Sequence, residues 1–292
     1  MPAELLKGAP IAARIREQVA AALAQGGVRP CLANVAVGAE GASLAYLDAI
    51  DRACAKAGLD SRRSLLPAGA RQADVEAAVA ALAEDSAVHG LMLQVPLPKG
   101  LDAARIAALV PPAKDVDGVA RASLGAVLAG ERRHVAPCTA AAVAEILASD
   151  PRLSPEGREV CVIGRSLVVG RPLAAMLAAP LPGGHATVTL CHTRTREVAA
   201  HARRADIVVV AAGVRGLLKP DMVRPGAVVV DVGTHPVDGP GGPTLAGDAE
   251  PAVAEVAGFF TPVPGGVGPV TNAVLLRHVT AAAIPGYFPP AW

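Results

Sequence analysis

The sequence predicts an α/β protein of two domains, one of them Rossmann-like, and three observations carry that prediction. Short apolar runs of the kind buried parallel strands show alternate with helical patterns along most of the chain. One such run, Val160 to Ile163, stops at Gly164-Arg165-Ser166, after which Gly170 and Pro172 introduce an alanine- and leucine-rich helix. The length, 292 residues, suits two modest domains better than one large one.

Residues 9–24 place Ile11, Ile15, Val19 and Ala22 at helical spacing, with the charges off that face. A strand follows over 30–38, then a helix over 43–58 whose C-cap is Gly58. A helix over 73–84 precedes HGLMLQV (89–95), a buried strand ending at Pro96, and a helix over 102–109 leads into PPAKDVDG. This alternation predicts a parallel sheet within the first 118 residues. Helix 139–149 bridges to a second unit, where strands at 158–163, 186–191, 206–211 and 227–232 accompany helices at 171–178 and 196–203. In an open parallel sheet, ligands bind beyond the carboxyl ends of the strands. Those ends, Gly164, His192, Gly213 and Gly233, bring four loops to one crevice. After 265 a glycine- and proline-rich loop precedes a last helix, expected to pack back on the first domain. The expected division is 1–139 plus 266–292 for a discontinuous first domain and 140–265 for the dinucleotide-binding one.

Composition excludes several classes. The chain is 52% hydrophobic and 18% charged, with one Trp, two Tyr and three Phe, so a large core is available but aromatic stacking platforms are scarce. A net charge of +1 provides no basic footprint for nucleic acid. Cys31, Cys54, Cys138, Cys161 and Cys191 are an odd, scattered set without a C-x-x-C pair, which argues against a disulfide framework or a metal site. No secretory signal and no uncharged run of membrane-spanning length is visible, so a cytoplasmic protein is expected.

The stretch 158–177 is the centre of the functional argument. A strand, a glycine turn and a helix N-terminus together form an anion site, where free N–H groups and the helix dipole face a phosphate. The loop reads G-x-S-x-x-x-G, with Ser166 where the common dinucleotide fingerprint has its second glycine. Alone, the pattern also fits an ordinary strand–turn–helix corner.

Further stretches remove that ambiguity: SLAYLDAIDRACAKAG (43–58), LMLQVPLPKGLD (91–102), AKDVDG (113–118), PCT (137–139), VIGRSLVVGRPLA (162–174), VTLCHTRT (188–195), VVDVGTH (229–235), LAGDA (245–249) and TPVPGGVGPVTNAVLL (261–276). In these motifs, and in their order, the chain resembles the methylenetetrahydrofolate dehydrogenase/cyclohydrolase family. The resemblance implies a cytosolic homodimer with a folate cleft between two domains. It implies oxidation of 5,10-methylene-tetrahydrofolate by a nicotinamide dinucleotide, then hydrolysis of the methenyl product to 10-formyl-tetrahydrofolate. It brings in neither nucleic acid nor membrane, and no metal.

Carried over by matching motif, Gly164, Arg165 and Ser166 hold the cofactor's phosphates, with Thr193 and Arg194 at the next strand end. Arginine here favours NADP over NAD, since a guanidinium grips a phosphate with two hydrogen bonds. His192 fits either that site or a satisfied polar turn. Gly233 and Thr234 approach the nicotinamide side by backbone. Pro264, Gly265 and Gly268 form a wall of the cleft that a flat ligand can approach closely. Asp117 matches the carboxylate that binds the amino-pyrimidine end of the pterin, and Tyr46 the tyrosine that stacks over the folate. Gln94 matches the glutamine that contacts the active-site lysine. Tyr46, Gln94 and Asp117 are therefore the expected catalytic set.

That lysine is missing. In the family it follows the tyrosine by four residues and serves the hydrolytic step; here the position is Ile50. Arg52 lies about 200° round the helix from Ile50 and Lys56 about 240°, so neither reaches the same spot. Isoleucine cannot polarise water or donate a hydrogen bond, and it leaves Gln94 without its expected partner. The expectation is an NADP-dependent dehydrogenase with cyclohydrolase activity weak or lost. The alternatives are the ordinary bifunctional enzyme and a folate- and NADP-binding pseudoenzyme or sensor. A second departure, Ala140 and Ala142 where the family has proline and glycine, removes no chemistry.

Overall fold

The computed structural model describes residues 2–131, 134–239 and 242–287. In chain order its principal elements are β1 (Glu4–Leu5), α1 (Gly8–Gly26), β2 (Cys31–Val37), α2 (Ala42–Ala57), β3 (Asp60–Leu66), α3 (Gln72–Glu84), β4 (Gly90–Leu93), α4 (Ala103–Ala107) and α5 (Arg121–Ala129). They continue with α6 (Cys138–Leu147), β5 (Glu159–Ile163), α7 (Gly170–Ala178), β6 (Thr187–Cys191), α8 (Val198–Arg204), β7 (Ile207–Val210) and β8 (Val228–Asp231). A hairpin, β9 (His235–Gly239) and β10 (Gly242–Ala246), then β11 (Phe259–Phe260) and α9 (Val267–Ala283) complete the series.

Two parallel sheets result. The first has three strands in the order β3-β2-β4, and the second has six in the order β1-β11-β8-β7-β5-β6. Strand order in the larger sheet reverses between β5 and β7, so the loops after those strands diverge there and leave a ligand crevice. Strands β5, β7 and β8 are buried runs of Val and Ile, as a sheet covered on both faces requires.

The expected elements are present with small shifts at their ends, and Gly58 caps α2 in the left-handed region at φ 83°. Helix α9 does return to the first unit, packing along α1 and α6 and reaching α2 and β4. Besides the β9–β10 hairpin and β11, three features were not anticipated. Strand β3, DSRRSLL, is a half-exposed edge without an apolar run. Helix α5 contains Gly125 and draws its N-terminal cap from Asp115, upstream of the helix; that carboxylate accepts from Val119 N (3.2 Å), Ala120 N (2.8 Å) and Ser123 Oγ (2.6 Å). The third is β1, which pairs with β11 and so extends the second sheet although it precedes the whole first unit.

A shared core joins the sheets, containing Ile15 and Val19 of α1, Ile146 of α6, Leu173 of α7 and Val274 of α9. An ion pair reaches into it. Arg277 on α9 is 2% exposed and its Nη1 lies 2.6 Å from Glu145 Oε1 on α6. Removing one partner strands the other charge. Glu145→Leu is therefore expected to cost about 3–5 kcal/mol, measured by denaturant unfolding, whereas loss of the exposed Arg14 contact to the same carboxylate by Arg14→Ala costs below about 1 kcal/mol.

Candidate active site

The first wall of the site comes from α2, the end of β4 and the segment 115–118. Tyr46 stands on α2 and is 40% exposed; one turn on, Ile50 is 2% exposed and belongs to the shared core. Gln94 follows β4 and keeps the ladder through its N–H to Val35 O at 2.8 Å. Its carboxamide has a single long contact, Nε2 to Val95 O at 3.5 Å.

Two neighbouring aspartates divide the labour. Asp115 is buried and accepts from Gly118 N as well as from the α5 N-terminus, so it shapes the turn. Gly118 is required there, since a Cβ would lie 2.4 Å from the Ala136 carbonyl carbon. Asp117 is thereby left free of turn duties, beside Tyr46 and the Cys138 thiol. Burial, then the charge of Asp115, pushes the Asp117 carboxyl up to about 6. Burial and the Asp117 charge push the Tyr46 phenol up to about 12. Cys138 Sγ donates to Val116 O at 3.3 Å and meets His278 Nδ1 at 3.4 Å, and that nitrogen also lies 3.0 Å from Val116 O. Burial, then the Arg277 charge, takes His278 down to about 3, so it remains neutral. Asp115, Cys138 and His278 are site supports not expected from the sequence, although Asp115 lies in AKDVDG and Cys138 in PCT.

The second wall is the crowded end of the larger sheet. A Cβ on Gly164 would lie 2.0 Å from Ala211 O, and one on Gly170 would lie 1.9 Å from Gly164 O. Backbone contact therefore replaces side chains where β5, β7 and α7 meet, as an anion-binding loop needs. Ser166 Oγ accepts from Val169 N at 3.2 Å and fixes the loop. Arg165, Thr193 and Arg194 are exposed around it, and neither arginine has an ion pair among the described residues. His192 is occupied locally, its Nδ1 accepting from Arg194 N at 3.1 Å.

The third wall is held by a buried carboxylate pair that the motifs contained but whose role the sequence did not disclose. Asp231 accepts from Gly233 N (2.9 Å), Asp248 N (2.9 Å) and Ala249 N (2.8 Å). Asp248 accepts from Ala212 N (2.6 Å) and Gly213 N (2.8 Å) and binds His235 Nε2 at 2.7 Å. Together they fix the loops after β7 and β8, including Gly233, with Thr234 exposed. Pro264 and Gly265 are exposed in the loop before α9, where Gly265 has φ 106° and its carbonyl accepts from Gly8 N at 2.8 Å. Gly268 is exposed in the first turn of α9. Among the described residues no cluster fit to hold a metal ion occurs, and no helix is long and apolar enough to cross a membrane.

Comparison with known proteins identifies two family domains in the chain. Residues 6–117 match the tetrahydrofolate dehydrogenase/cyclohydrolase catalytic domain, and residues 137–285 match the NAD(P)-binding domain of the same family. The chain is 46% identical over 289 residues to bifunctional protein FolD 2 of Frankia casuarinae, covering 97% of this chain and 96% of that one. It superposes on the bifunctional FolD enzyme of Campylobacter jejuni with a TM-score of 0.88 at 35% identity, covering 96% of this chain and 98% of that one. The FolD of Trypanosoma brucei, solved with NADP and an inhibitor, gives the same score and identity and covers 96% of each chain.

Asp117 generates a pH test. With its carboxyl at about 6, N–H donors of a bound ligand meet a carboxylate only above that value. Affinity for tetrahydrofolate, titrated from about pH 5 to 8, is expected to rise through pH 6 and then level, roughly tenfold per unit on the acid side. Asp117→Asn is expected to bind weakly and lose that dependence. The linked effect on stability has the opposite sense: the folded state holds this proton more tightly than the unfolded chain, so the contribution is lost as pH rises through about 6.

Proposed function

The chain belongs to the tetrahydrofolate dehydrogenase/cyclohydrolase family, and from that premise we propose that it oxidises 5,10-methylene-tetrahydrofolate to the 5,10-methenyl form with NADP, while opening the methenyl ring weakly or not at all. The observation that carries this reading is Ile50, buried one helical turn after Tyr46 in the wall that receives the folate.

The residues present fit both ligands. A glycine-lined strand end whose Cβ positions are filled by backbone, with Arg165 and Arg194 beside it, suits the phosphates of NADP. Ser166, through Val169 N, keeps the loop in the shape that exposes its amides. Bound NADP supplies the hydride acceptor. The chain's contribution to that step is placement: Asp117 accepts from the amino-pyrimidine, Tyr46 covers the pterin face, and the Pro264–Gly265 loop and Gly268 confine it from the opposite side. The Asp231 and Asp248 carboxylates hold Gly213 and Gly233 against the nicotinamide half of the crevice.

The two half-reactions ask different things of the wall. Loss of hydride from the methylene carbon needs no proton transfer by the protein, and the folate nitrogens stabilise the cation. Addition of water to that carbon needs a group that can polarise the water and accept or return a proton. Ile50 can do neither, Gln94 and Tyr46 are neutral at physiological pH, and the Asp117 carboxylate is assigned to the amino-pyrimidine. The family resemblance further supports a homodimer working in the cytoplasm. The description of the relatives as bifunctional favours a second reading in which hydrolysis is intact, with water held by another group.

Two variants test the proposal. Ile50→Lys is expected to raise methenyl-tetrahydrofolate hydrolysis at least tenfold above the native rate, with NADPH production retained; hydride transfer retained without any gain in hydrolysis contradicts the assignment. Arg165→Ala is expected to raise the KM for NADP about tenfold, the loss of one charge-assisted phosphate contact, and to leave turnover with NAD unchanged.

A further inference from the structure

Asn34 is a fully buried polar side chain, and neither its Oδ1 nor its Nδ2 has a partner among the described residues. Strand alternation sets its direction. Ala33 and Val35 belong to the cluster beneath α3, whereas Leu32 belongs to the core shared with Ile50, Cys54 and Met92. Asn34 therefore faces the α2 side of the sheet. Its register partner on β4 is Met92. Gln94, two residues beyond Met92 and still bonded to the ladder, shares that face and stands diagonally from Asn34. The Gln94 carboxamide likewise has no partner closer than 3.5 Å. Ile50 on the helix that covers this face gives neither amide a donor or an acceptor.

We propose that Asn34 is a positioning residue for Gln94, with the two carboxamides joined through one buried water at the base of the folate cleft. The proposal rests on the assignment of this face to folate. Each amide carries a donor and an acceptor, and a water between them gains partners from both. The link compensates for what Ile50 cannot do: it orients Gln94 without a cation, and so serves substrate placement rather than activation of water.

Arg63, the register partner of Asn34 on β3, is the competing neighbour. Its guanidinium pairs with Asp48 and Asp51 on α2, and its Nε has no partner among the described residues. A bond from Asn34 to Arg63 would fasten α2 to the sheet and affect stability alone. The two roles separate on steady-state kinetics with methylene-tetrahydrofolate and NADP, run beside thermal unfolding of the same full-length variants.

Asn34→Val is expected to raise the KM for the folate roughly five- to tenfold, with the KM for NADP unchanged. Asn34→Thr, nearly isosteric with Val but able to donate and accept, is expected to recover most of that loss. In a Gln94→Leu background, which itself raises the folate KM, Asn34→Val is expected to add nothing. If Gln94→Leu raises the KM while Asn34→Val only shifts the melting temperature, the positioning role is overturned and the folate assignment stands. If neither variant changes the KM, the assignment of Gln94 to the folate wall falls, and the proposal with it.

Discussion

Helix α9 and the loop before it are the joint on which the site depends. The helix is buried along most of its length and packs on α1 and α6, while its far side reaches α2 and β4. Gly8 at the start of α1 donates to Gly265 O at 2.8 Å, and a Cβ on Gly8 would lie 1.9 Å from Gly266 O. No side chain fits between these backbones, so the entry to α1 and the exposed Pro264–Gly265 turn move as one. The Arg277–Glu145 pair and the Cys138–His278 contact add directional links to a largely aliphatic joint. Together with the packing of α7 on α5 and α6, this layer holds the two sheets in a fixed relation. Hydride transfer, which depends on holding two carbons in contact, requires that relation.

Against this shared frame, the chemistry divides at one side chain. Placement of cofactor and folate draws on backbone amides, glycine contacts, arginines and a carboxylate, all present. Water addition draws on a cation or a base, and one helical turn after Tyr46 the chain carries a buried isoleucine. The polar groups nearby are the uncharged amides of Gln94 and Asn34 and the phenol of Tyr46, with the Asp117 carboxyl beside that phenol.

Much of this was legible in the sequence because its signals are local. Val160 to Ile163, Ile207 to Val210 and Val228 to Val230 read as buried strands, and the glycines after them mark the crevice through steric need. The return of α9 followed from a strongly apolar helix placed after a glycine- and proline-rich break. What escaped depends on partners far away in the chain. Strand β3 is polar because it lies at an edge, and β1 is a strand only because β11 lies beside it. Asp115 and Asp117 look alike in KDVDG; burial and the α5 N-terminus assign the first to the turn and leave the second for a ligand. The Asp231–Asp248 arrangement crosses the ends of two strands and the hairpin between them, a distance no local pattern records.

The central claim is most directly tested by incubating the purified protein with methylene-tetrahydrofolate and NADP and following NADPH and the methenyl product separately. The account predicts that both rise together and that the methenyl form then decays only at its spontaneous rate. Rapid drainage of the methenyl form to 10-formyl-tetrahydrofolate would contradict it and would place a water-activating group elsewhere in the cleft.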